Sequence, residues 1–131
     1  MHYRPSDYND LMGQRFVRGS CVLFVTLLVT TLAIGHAILM KSTPGVNQVV
    51  TGPEVPVVLT FNSQIDRARS TLTLERPNHS SSRIAINSDA SSPAKLIAKL
   101  SDMSPGSYQL RWQVLAVDGH ITRGAISFRV K

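Results

Sequence analysis

Apolar and polar residues alternate with period two over much of the chain after Val55, the signature of half-buried strands. "VPVVLTF" places Val57, Leu59 and Phe61 on one face, and "STLTLERP" does the same for Leu72 and Leu74. "SRIAIN" presents Ile84 and Ile86. "AKLIAKL" turns Leu96, Ala98 and Leu100 inward and Lys95, Ile97 and Lys99 outward, which suits an edge strand guarded by lysines. The clearest stretch is "SYQLRWQVLAV", with Tyr108, Leu110, Trp112, Val114 and Ala116 inward. "GAISFRVK" closes the chain with Ile126, Phe128 and Val130 on one face. Turn-forming clusters separate these runs: "TPG" (43–45), "TGPEVP" (51–56), "RPNHSSS" (76–82), "SDASSP" (88–93) and "SPG" (104–106). Short strands at this spacing predict an all-β fold, an antiparallel sandwich or barrel.

The first third reads differently. "CVLFVTLLVTTLAI" (21–34) is apolar apart from its threonines and follows Arg15 and Arg18. Basic residues before a short apolar core describe a secretory signal peptide. Ala33 and Gly35 occupy the small-residue positions before a cut between Gly35 and His36. Residues 1–35 are therefore expected to be a signal segment and 36–131 the mature domain. Two alternatives stand beside this. A cut after Ala37 would remove His36. An uncleaved run extended to Met40 reaches the about 20 residues of a spanning helix, although it would bury a histidine.

Composition narrows the function. The 131 residues carry a formal charge of +6, but the basic residues are scattered, whereas a nucleic-acid surface needs clustered cations. The single cysteine, Cys21, excludes an intramolecular disulfide and a cysteine-based zinc site. It lies in the apolar run, and "VRGSC" lacks the leucine of a lipoprotein box, so it reads as part of the targeting segment. His79 reads as an exposed loop residue and Trp112 as core. Glu54 and Asp66 show no partner in the sequence.

"LAVDGHITRG" (115–124) carries the candidate chemistry. By itself "DGH" is a hairpin turn, since Asp-Gly is a strong turn dipeptide. Asp118 and His120 stand two apart, which in extended chain puts both on one side, and Gly119 between them permits unusual dihedrals. A cut at Gly35 would give His36 two nitrogen donors, its imidazole and its α-amine. With Asp118 and His120 that makes three nitrogens and one carboxylate oxygen. A sulfur-free N,O set favours tetragonal Cu(II). Zinc is the competing ion, with a preference for the tetrahedron.

Three stretches also resemble the CopC family of periplasmic copper-binding proteins. "HAILMKSTPG" is similar to that family's opening "HA-x-L-x-x-S-x-P". "GPEVPVVLTFNSQID" resembles its "P-x-x-V-x-L-x-F-S-E-P-V" strand, departing at "FNSQID". "LSDMSPGSYQLRWQVLAVDGHITRGAISFRV" resembles its "P-G-x-Y-x-V-x-W-x-V-x-S-x-D-G-H" segment and the strand that follows. The resemblance implies a Greek-key β-sandwich or barrel of about seven strands, Ig-like or cupredoxin-like, here preceded by the signal helix. It implies a Cu(II) site at His36, Asp118 and His120, with no catalytic residue. It also implies a periplasmic copper carrier or buffer in copper homeostasis or resistance, expected to be a monomer, with a CopD-like inner-membrane copper transporter as its partner. Some members carry a methionine-rich Cu(I) site. Here only Met40 and Met103 follow the proposed cut, too few for a thioether cluster. Two other readings remain: a membrane-anchored β-sandwich without metal, and a small histidine-brace copper oxidase resembling lytic polysaccharide monooxygenases.

Overall fold

The structure, a computed structural model, describes residues 36–87 and 92–131. The signal segment, with Cys21, Ala33 and Gly35, lies outside the described residues, as does most of "SDASSP". Eight strands follow in order: β1 (Leu39–Thr43), β2 (Val49–Val50), β3 (Val55–Phe61), β4 (Ile65–Glu75), β5 (Ser81–Ile84), β6 (Lys95–Leu100), β7 (Gly106–Ala116) and β8 (Ile121–Val130). One sheet is ordered β1-β3-β6 and the other β2-β8-β7-β4-β5.

The two sheets turn their apolar faces to a shared core. Leu59 and Leu96 come from the smaller sheet, and Leu72, Leu74, Leu110 and Ile126 from the larger; all are fully buried. Each such side chain contributes roughly 1.5–3 kcal/mol through removal from water. The inward residues of β6 and β7 are those of the period-two reading, and β3 buries Val55 in addition to the expected Val57, Leu59 and Phe61. As expected, β6 is an edge strand. Lys99 on it pairs with Glu54 at 2.7 Å, and Asp66 pairs with Arg69 at 3.1 Å, so both acids have partners the sequence did not reveal.

Four features depart from the sequence reading. β1 and β2 are strands that the alternation does not display, and with them the described residues form eight. β2 pairs with β8 in parallel, so the fold is not wholly antiparallel. β4 starts at Ile65, well before "STLTLE". Its register to β7 jumps between Asp66 and Thr71, and this bulge masks the alternation. Ser70, the one buried polar residue among those described, closes the bulge by donating to the Asp66 carbonyl at 2.6 Å and accepting from Leu115 N–H at 3.3 Å. Lastly, β8 begins at Ile121, so the hairpin tip is "VDGH" and not "DGHITR".

β7 and β8 pair without a register break from Gly106↔Val130 to Leu115↔Ile121. Near the middle, Trp112 faces Gly124 across the ladder and packs edge-on against Phe61, with ring centroids 5.3 Å apart. A Cβ at position 124 would overlap the indole. Gly124→Ala is expected to destabilise the fold by about 1–3 kcal/mol, the usual penalty of overpacking. Chemical denaturation reads this directly, and an unchanged midpoint would mean that the indole shifts aside freely.

Candidate metal centre

The long β7–β8 ladder ends in a tight turn that shapes the candidate site. Gly119 N–H donates to the Ala116 carbonyl at 2.9 Å, and Ala116 N–H donates to the His120 carbonyl at 2.8 Å. Asp118 Oδ1 accepts from His120 N–H at 3.0 Å, an Asx-type closure. Gly119 has φ 90°, a conformation that L side chains resist. Asp118 and His120 do share one side, but the turn brings this about and not extended chain. Their side chains meet, with His120 Nδ1 3.1 Å from Asp118 Oδ2.

The other half arrives from the start of the described chain. His36 is exposed, whereas the next residue, Ala37, is fully buried. The His36 ring meets the His120 ring edge-on, with centroids 4.6 Å apart and planes at 78°. The fold thus brings together all three residues singled out in the sequence. His79 stays apart from them: its side chain is 89% exposed, and its nearest acid is Glu75 at 3.7 Å.

The turn between β3 and β4 touches both halves. Asn62 exchanges two hydrogen bonds with Ile38, and the Gln64 carbonyl accepts from Val117 N–H at 3.3 Å. Between them, Ser63 Oγ is buried without a hydrogen-bond partner. The sequence reading assigned these residues to the fold alone. The signal available was the departure of "FNSQID" from the resembling pattern.

Electrostatics favour an ionised carboxylate here. The His120 N–H holds the Asp118 carboxyl below the usual carboxylate range. Desolvation opposes this, while the His120 side chain and the nearby His36 add to the lowering. As the side chains stand, Asp118 engages His120 Nδ1 and leaves Nε2 as that ring's available donor. Among the described residues, no three His, Cys, Asp or Glu side chains are already arranged as a metal cage. The chemistry of the set nonetheless fits a cation: two imidazoles in contact and one ionised carboxylate, all reachable from solvent. His120 is 46% exposed and Asp118 24%, so both side chains open to solvent.

A sequence profile of the CopC domain matches residues 39–131. Protein YobA of Escherichia coli K12 is 30% identical over 119 residues, which cover 89% of this chain and 96% of the relative. Copper resistance protein C of Xanthomonas campestris pv. juglandis is 28% identical over 127 residues, covering 89% and 97%. The crystal structure of CopC from Methylosinus trichosporium OB3b aligns with a TM-score of 0.66 at 24% identity, over 73% of this chain and 94% of that one, a likeness of fold. With the profile spanning nearly all of the β domain, this chain belongs to the CopC family.

Proposed function

We propose that this chain is a periplasmic Cu(II)-binding protein, a non-enzymatic carrier or buffer of copper exported by its N-terminal segment. The observation that carries the reading is the meeting of His36 with His120 at 4.6 Å, beside a carboxylate 3.1 Å from the same imidazole. Family membership supports it, and one relative bears the name copper resistance protein C. Export and cleavage after Gly35 would free the His36 α-amine. His36 then supplies two nitrogens, His120 a third, and Asp118 an oxygen. Such a set suits Cu(II), which also stands at the top of the divalent affinity order. With four protein donors, no position is reserved for a substrate, in keeping with carriage and not catalysis. Copper would pass onward to an acceptor such as a CopD-like membrane transporter, with the chain acting as a monomer.

The acid–base properties of the donors set the loading conditions. Asp118, like any ordinary carboxylate, is ionised across the neutral range, and its lowering extends this toward acid, so it needs no deprotonation. The α-amine ordinarily titrates at roughly 7.7–8.0 and must lose its proton to bind. Copper affinity is expected to fall as pH drops below about 8, because binding must displace the α-amine's proton. A competition titration against a pH-insensitive chelator measures it, and a flat profile would argue against nitrogen ligation.

Intact mass of the exported protein should correspond to a chain beginning at His36; any other first residue removes the proposed amine donor. Cu(II) titration followed by electron paramagnetic resonance should show a nitrogen-rich tetragonal signal. His36→Ala, His120→Ala and Asp118→Ala should each weaken binding by at least the about 10–100-fold seen for perturbed outer-shell partners. Wild-type affinity in all three variants would refute the assignment.

A further inference from the structure

Ile38 and Asn62 are tied by two hydrogen bonds of different origin. The Asn62 N–H donates to the Ile38 carbonyl at 3.0 Å, extending the β1–β3 ladder beyond Leu39↔Phe61. The Ile38 N–H takes a different partner, the side-chain Oδ1 of Asn62, at 2.7 Å. That second bond is a property of this side chain and not of the sheet. Asn62 is exposed, so burial does not dictate what it does.

Its location gives it a consequence. Ile38 is two residues from His36, a reach of at most about 7 Å. Fixing both backbone groups of Ile38 therefore fixes the direction from which the chain approaches the hairpin. The same turn bonds that hairpin through Gln64 and Val117. One three-residue connection thus sets the separation of the two halves of the site.

We infer that Asn62 is a positioning residue for His36: its side-chain amide oxygen, by capturing the Ile38 N–H, directs the His36 imidazole onto His120. The functional consequence rests on the copper reading; the geometric one does not. The competing account is that burial of Ala37 alone holds the segment in place.

Two measurements on the exported protein decide between them. In the metal-free protein, cross-relaxation between the His36 and His120 ring protons should be present in the wild type. It should be lost in Asn62→Ala and retained in Asn62→Asp, which keeps an oxygen acceptor. Ring contact persisting in Asn62→Ala overturns the inference whether or not the protein binds copper. In the Cu(II) titration, Asn62→Ala should weaken binding about three- to tenfold, the scale of one neutral hydrogen bond. It should add nothing in the His36→Ala background, because the residue acts through His36. Full additivity of the two substitutions would assign Asn62 a general structural role and overturn the inference. Wild-type affinity in His36→Ala would instead defeat the copper reading and leave the ring contact to decide. Loss of the exposed Asn62 side chain removes no core packing, so the variant is expected to fold, and its thermal melt checks this.

Discussion

The uninterrupted ladder between β7 and β8 is the constraint on which the rest depends. It runs from Gly106↔Val130 to Leu115↔Ile121 without a bulge. A one-residue slip would turn either Leu110 and Trp112 or Ile126 and Phe128 to solvent, so the core enforces the register. Because the register is enforced, the position of the tip is enforced too. The bulged β4 and the two-residue β2 pair with this hairpin from its two sides.

The candidate site is assembled from opposite ends of the described chain. The hairpin presents Asp118 and His120 through local turn chemistry, whereas His36 depends on long-range bonding to the β3–β4 turn. The two kinds of control differ in robustness. Asp118 and His120 are held by bonds within five residues. His36 meets them only while the turn after β3 is in place. The electrostatics follow the same division. The main cause of the lowered Asp118 carboxyl is the His120 backbone, and His36 contributes least.

Much of this was legible in the sequence, for identifiable reasons. β3, β6 and β7 each bury one face, so alternation displays them, and of their inward residues only Val55, at the start of β3, goes unmarked. Alternation fails where the pleat fails. β1 carries a register shift between Leu39 and Lys41, the first half of β4 is bulged, and β2 is too short to show any period. The opening residues of β8 pair at the exposed end of the hairpin, where none is fully buried. The grouping of His36 with His120 rests on donor chemistry at the expected cut and on a family resemblance, not on any local pattern. Asn62 was invisible for a related reason: a hydrogen bond spanning 24 positions from an exposed asparagine leaves no periodic trace.

The junction of residue 36 with the 118–120 turn has a mechanical meaning as well as a chemical one. Whatever bridges these residues fastens the strand that opens the domain to the hairpin that closes it. The chain has a single cysteine and therefore no covalent staple of its own. A bridging ligand would act as a reversible one, closing a long loop and removing entropy from the unfolded chain as a disulfide does. Release of the ligand would then loosen the opening segment first, since its remaining anchors are the short β1 edge, the Ile38–Asn62 bonds and the buried methyl of Ala37. Occupancy and the order of that edge would rise and fall together.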